Sequence, residues 1–128
     1  MNRFTKEERS TFAYWFAHWC AFNMVALNCK AWKFRYLFHD WEKPWLRLFL
    51  PYSKVQNFHR THSRHHLEYR GWRRKDYEGM IIDWECSRFT KEASPLTARE
   101  ELDRLHMCYL ISNSEYQNIL TALNKLGL

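Results

Sequence analysis

Between Ser10 and Cys29 the chain runs for 20 residues without a formal charge. A helix of that length, about 30 Å, either spans a bilayer or must be enclosed by protein. His18, Asn23 and Asn28 interrupt the stretch, and alanines and aromatics outnumber its aliphatic residues. Those features fit a central helix buried on nearly all sides better than a membrane span. The remaining chain has little material for hairpins, since it contains only three Gly and three Pro. Seven Trp, seven Tyr and nine Phe supply large packing surfaces instead. An all-α fold follows, with 128 residues suited to one domain around one core.

Local signals set the expected boundaries. Thr5-Lys-Glu-Glu8 is a capping box that opens helix one, which runs to about Asn28. Helix two covers about Ala31 to Lys43 and stops before Pro44. A short apolar turn, Trp45 to Leu50, ends at Pro51. A histidine-rich helix from Ser53 to about Tyr69 is closed by Gly71, and Asp76 to Thr90 forms the next. Ser94-Pro95 breaks the chain. Two more capping boxes, Thr97-x-x-Glu100 and Ser112-x-x-Glu115, start helices near Ala98–His106 and Asn113–Lys125. About six helices result, with the region of about 10–90 preceding two C-terminal helices in 97–127.

Lys and Arg exceed Asp and Glu by 20 − 14 = 6, for a pI near 9.3. This balance suits phosphate-bearing ligands, nucleic acid included. Cys20, Cys29, Cys86 and Cys108 form no Cys-x-x-Cys pair, which argues against a zinc finger and for free thiols in a reducing cytosol. The charged start, MNRFTKEERS, lacks the cleavage site of a signal peptide. A cytoplasmic protein that does not enter the membrane is expected.

Four of the seven histidines crowd into "FHRTHSRHH": His59, His62, His65 and His66. On a continuous helix, His59, His62 and His66 share one stripe at i, i+3 and i+7. Neutral imidazole is the commonest metal-binding side chain, and a metal would explain the crowding. A solvated basic face, interleaved with Arg60, Arg64 and Arg70, is the other reading. Two isolated polar residues ask for the same explanation. His18 lies midway along the uncharged helix, and Asp83 stands in the apolar run "MIIDWEC", where each needs a partner. Asp83 could instead pair with Arg35 or Arg60. His39-Asp40 sits near the end of helix two, in "LFHDWEK".

The order His18, His39-Asp40, His59, His65-His66, Asp83 resembles the HD superfamily of helical metal-dependent phosphohydrolases. The boxes "FAHW", "LFHDWEK", "HRTHSRHHLEY" and "IIDWEC" also resemble a small phage and bacterial family of unknown function, over roughly residues 14 to 90. Glu42 replaces that family's usual Ser, Pro44 its Phe, and Ser63 a common Asn. The resemblance implies that His18, His39, Asp40 and Asp83 bind one metal, with His59 and His66 at a second. Asp40 would bridge them. His65 is the next histidine, as a donor that orients a ligand or protonates the leaving oxygen, and His62 is expected in solvent. Lys43, in His-Asp-x-x-Lys, would act at the phosphate, and Arg60 and Arg64 could hold phosphate oxygens. His106 has no partner in this scheme and reads as structural. Gly71-Trp-Arg-Arg-Lys75 is a basic, aromatic-bearing loop that either lips the site or merely connects helices.

The expected cofactors are one or two divalent ions among Mn, Fe, Zn and Mg, and the expected substrate is a nucleotide or other phosphoester. If the gene is phage-borne, the compartment is the host cytoplasm. The same ligands suit a di-iron oxygenase, and a basic aromatic chain also suits a non-catalytic nucleic-acid or nucleotide-binding module.

Overall fold

The computed structural model describes residues 3–93 and 95–128. Met1, Asn2 and Ser94, one half of the expected Ser94-Pro95 break, lie outside them. The described residues form six α-helices: α1 Phe12–Asn28, α2 Glu42–Arg47, α3 Tyr52–His62, α4 Tyr77–Thr90, α5 Ala98–Met107 and α6 Asn113–Lys125. No strand occurs among the described residues, and no helix there is long and apolar enough to cross a membrane.

The uncharged α1 packs on α4, and α4 on α6 and α5. Their shared core contains Phe22, Ala26, Met80, Ile81, Ile82 and Leu102, each at most 1% exposed. Burying the larger of these, Phe22, Met80, Ile81, Ile82 and Leu102, contributes about 1.5–3 kcal/mol each. Phe4 is tied to the end of α4, where Phe4 N–H donates to Thr90 O at 2.7 Å and Glu92 N–H to Phe4 O at 3.0 Å.

Caps explain most boundaries. Thr97 and Glu100 close a reciprocal box on α5, and Ser112 accepts from Glu115 N–H on α6. Asp76 caps α4 by accepting from Gly79 N–H. The Thr5–Glu8 box forms but opens only a 3₁₀ turn, Glu7–Ser10, while Thr11 caps α1. Helix one therefore starts later than expected. At its end, Lys30 N–H bonds Leu27 O and Ala31 N–H bonds Ala26 O, both at 3.0 Å, with Lys30 at φ 55°. This left-handed closure normally takes glycine, and its lack of one hid it from the sequence.

Helix two departs most. Phe34–Phe38 is a 3₁₀ turn, His39 is extended, and α2 begins only at Glu42. Pro44 lies inside the first turn of α2, where its missing N–H has no helical acceptor to lose. It starts a helix where it was expected to stop one. The histidine helix is shorter too. It ends at His62, because Ser63 is extended at φ −95°, ψ 128°. His65 and His66 thus lie in the turn after α3, and the expected i, i+7 stripe does not exist.

Candidate metal centre

The His39-Asp40 step is made by a backbone reversal. On an uninterrupted helix, adjacent side chains diverge by about 100°. Here Asp40 takes φ 55°, a left-handed conformation that Asp tolerates better than most residues. Three indoles from outside the turn hold the loop. Trp15 Nε1–H donates to Asp40 O at 2.8 Å, Trp19 Nε1–H to Leu37 O at 2.9 Å, and Trp32 Nε1–H to Asn23 Oδ1 at 2.9 Å. Asn23 in turn donates to Tyr36 O. The His39 ring stacks on Phe22 of α1, centroids 3.6 Å apart and nearly parallel. Both side chains therefore enter one buried space.

Four residues meet there. His18 Nε2 lies 2.8 Å from Asp83 Oδ1, 3.2 Å from His39 Nε2 and 3.5 Å from Asp40 Oδ2. His39 Nε2 is 3.4 Å from both Asp83 Oδ1 and Asp40 Oδ1. All four are buried, and one donor atom from each lies within 4.8 Å of the others, a set that can hold a metal ion. His59, His65 and His66 form a second such set. Asp40 Oδ1 is 3.0 Å from His59 Nε2 and 3.3 Å from His65 Nε2. One carboxylate thus faces both groups.

The donor atoms fit a cation. Asp40 Oδ1, Asp83 Oδ1 and the Nε2 atoms of His59, His65 and His66 are buried without a hydrogen-bond partner among the described residues. Several of these atoms lie at ion-pair distance from one another, yet none meets another at hydrogen-bonding geometry. Leaving each orphaned would cost about 1–3 kcal/mol. A divalent ion satisfies imidazole nitrogens and carboxylate oxygens together.

Outer partners orient the rings. The Nδ1–H of His59 donates to Glu42 Oε1, with Ser63 Oγ 3.0 Å from the same nitrogen. That fixes the tautomer whose Nε2 lone pair faces the centre. His18 Nδ1 lies 3.7 Å from Cys86 Sγ, whose thiol donates to Asp83 O. Burial pushes the Asp40 carboxyl up, but His39, Lys43 and His59 beside it outweigh that and hold it well below the usual carboxylate range. Asp83 is likewise held low, with His18 and His39 offsetting its burial. Burial lowers His39 to about 4, against the pull of Asp40 and Asp83, and lowers His66 to about 2.

A cavity of about 250 Å³ reaches His39, Asp40 and His65, with Arg35, His62 and Arg64 on its wall. A second, mostly apolar, holds about 230 Å³ and reaches His18, Asp40 and Lys43. Lys43 Nζ is 3.3 Å from Asp40 Oδ2.

The six residues that the resemblance implied as ligands, His18, His39, Asp40, His59, His66 and Asp83, are brought together, and His65 joins them. His65 therefore sits in the donor set, not apart from it as an outer donor. His62 is exposed, its ring stacked on Phe58. Arg64 lines the first cavity, whereas Arg60 is exposed, lies 3.4 Å from Glu68 and lines neither cavity. Asp83 pairs with neither Arg35 nor Arg60; Arg35 holds Asp76 instead. His106 stacks on Tyr116, away from the centre. Glu42 is the functional residue that sequence reading missed, because it counted only as a departure from a family pattern. Its place three residues after His39 in "HDWEK" carried no signal of the contact with His59.

The fold and donor set define a helical protein with a buried His/Asp centre that can hold metal. No family model, curated protein or solved structure matches the chain.

Proposed function

We propose that the chain is a metal-dependent phosphohydrolase of the kind its residue order resembles, the HD superfamily. Asp40 carries the reading: a single carboxylate faces two sets of imidazoles and also opens onto a cavity rimmed by Arg35 and Arg64. His18, His39, Asp83 and Asp40 would hold one divalent ion, and His59, His65, His66 and Asp40 a second. Bound there, the ions supply an acidified water and Lewis acidity toward phosphoryl oxygens.

The chain's own groups supply the rest. Arg64 and Arg35 offset charge on the phosphoryl oxygens as it develops. Lys43 keeps Asp40 ionised, since its ammonium stays charged: burial alone would lower it, but Asp40 raises it. Hydrolysis adds a water oxygen to phosphorus and breaks the bond to the leaving oxygen, which gains a proton. His62, on the cavity wall and outside the donor set, is positioned to provide it.

The test is turnover of bis(p-nitrophenyl) phosphate, nucleotides and cyclic nucleotides by protein loaded with Mn²⁺, Mg²⁺, Fe²⁺ or Zn²⁺. Asp40→Ala should abolish turnover, and Lys43→Ala should weaken metal binding and slow turnover together. Failure to cleave any phosphoester with metal bound would overturn the reading, and an iron-loaded protein that consumes oxygen would move the centre to oxygenase chemistry.

A further inference from the structure

We infer that the substrate of the Asp40 centre is a single-stranded nucleic acid, its phosphates held in a basic trough and its bases stacked on exposed aromatic rings. The inference rests on the phosphoester reading above and names its substrate class.

The trough comes first. A depression of about 420 Å³ shares Arg35, Arg64 and Asp76 with the cavity over the centre, so the two are neighbours. Its lining carries six cations, Lys33, Arg35, Arg64, Arg74, Lys75 and Lys125, against the carboxylates Asp76 and Glu78. Both carboxylates are engaged, Asp76 holding Arg35 at 3.1 Å and capping α4, Glu78 holding Lys125 at 3.0 Å and Lys33 at 3.4 Å, and Lys75 is held from outside the lining by Glu115 at 3.0 Å. Among the described residues, Arg64 and Arg74 face no carboxylate at ion-pair distance. A concave run of cations that leads to a hydrolytic centre suits a chain of phosphates better than one phosphate group.

A set of exposed rings runs through Phe38, on the wall of the cavity over the centre. Phe34, Phe38, Trp41 and Trp45 are 70, 54, 48 and 56% exposed. Successive centroids lie 6.2, 5.8 and 6.3 Å apart, so the four rings make a continuous ladder. Trp41 directly follows Asp40. None of these rings belongs to the hydrophobic core cluster, and exposed aromatic rings are the surface on which unpaired bases stack. Charge agrees. Between residues 30 and 54 the only acids are Asp40 and Glu42, and both turn toward the centre. The outer surface of this segment is therefore cationic and aromatic.

A bilayer surface is also anionic and accepts aromatics, but it is flat and cannot follow cations into a trough. A duplex keeps its bases stacked on one another and away from the ladder. A single strand offers phosphates to the trough and unstacked bases to the ladder. Its cleavage consumes one water: a water oxygen bonds to phosphorus, one P–O ester bond breaks, and the leaving sugar oxygen takes a proton. The products are two shorter strands, one ending in a phosphate monoester and the other in a hydroxyl.

The experiment uses the full chain loaded with Mn²⁺. Fluorescence anisotropy follows labelled 12-residue oligo-dT and oligo-U, the same DNA as duplex, and phosphatidylglycerol vesicles as competitor. A single strand should bind more tightly than duplex, with log affinity falling linearly with log salt, and should be cut. Trp45→Ala should weaken binding by about tenfold. Arg74→Glu, at an exposed position outside the core, should weaken it and flatten the salt slope, which keeps the test open if the Trp45 variant misfolds. Cleavage of bis(p-nitrophenyl) phosphate without strand binding would overturn this substrate and leave the phosphoester reading standing. Strand binding with no cleavage of either compound would overturn the phosphoester reading and the strand's place as substrate with it. Equal affinity for duplex, or preference for vesicles, would also overturn the assignment.

Discussion

Stripping metal from this protein should lower its melting temperature by about 10 °C, and Asp40→Asn should remove that difference. A ligand present at 100 times its Kd stabilises the folded state by about 2.7 kcal/mol. With an unfolding entropy of about 2.1 cal/mol/K per residue, a 128-residue chain changes by about 0.27 kcal/mol for each degree. The ratio gives the expected shift. Asp40 is the position to change because its two oxygens face both imidazole groups. Asn preserves shape and tolerates φ 55°, so the loop need not rearrange. What it lacks is the negative charge that a divalent ion requires. Differential scanning fluorimetry with Mn²⁺ or Zn²⁺, with and without chelator, reads the shift, and elemental analysis reads occupancy. A melting temperature indifferent to chelation in the native protein would refute a metal in the core. An equal shift in Asp40→Asn would refute the bridging role.

Two further outcomes follow from the same geometry. Glu42→Ala should weaken metal binding by about 10–100-fold, because His59 loses the acceptor that fixes its tautomer, while Glu42→Gln, which still offers an oxygen to Nδ1–H, should retain most of it; titration with a competing chelator measures both, and unchanged affinity in the Ala variant would remove Glu42 from the centre. In the metal-free protein, urea midpoints should peak near pH 6.5. Below that value the unfolded chain takes up protons that His39 and His66, lowered by burial to about 4 and about 2, refuse when folded, so stability falls as pH drops from 6.5 toward 4. Above it, His59 keeps its proton to about 9, since Asp40 and Glu42 outweigh its burial, and that contribution is lost as pH climbs from 6.5 to 9. A tenfold difference in proton affinity between the folded and unfolded chain corresponds to about 1.4 kcal/mol, so a flat profile from pH 4.5 to 9 would refute the burial of neutral imidazoles.

The sequence by itself determined the elements whose causes are local. The uncharged stretch from Ser10 to Cys29 did become a helix, α1, that lies against α4 at the core, but it is buried on one face only: Phe12, Phe16, Met24 and Leu27 are each more than half exposed, against the expected burial on nearly all sides. Caps between residues three apart set α5 and α6 to within a residue: the expected box at Thr97 forms in full, whereas at Ser112 only half of it does, because the Glu115 carboxylate turns to Lys75 and Tyr77. The donor residues were legible for a related reason. His18 and Asp83 are polar groups in apolar helices, and the cost of burying them unpaired implies a common partner. Tertiary structure decided what depends on distant contacts. The turn at Asp40 is held by an indole 25 positions earlier in the chain, so no local pattern reveals it. Pro44 is locally compatible with the end of one helix or the first turn of the next, and the reversal at Asp40 selects the second. The end of α3 at His62 takes His65 and His66 off the helix, and the turn that follows returns both rings to His59. Glu42 meets His59 across 17 residues, through the packing of α2 on α3. Chemistry singled out His18, Asp83 and the crowded histidines, and the family resemblance supplied the rest of the donor set, but the two groups around Asp40 exist only once the chain has folded.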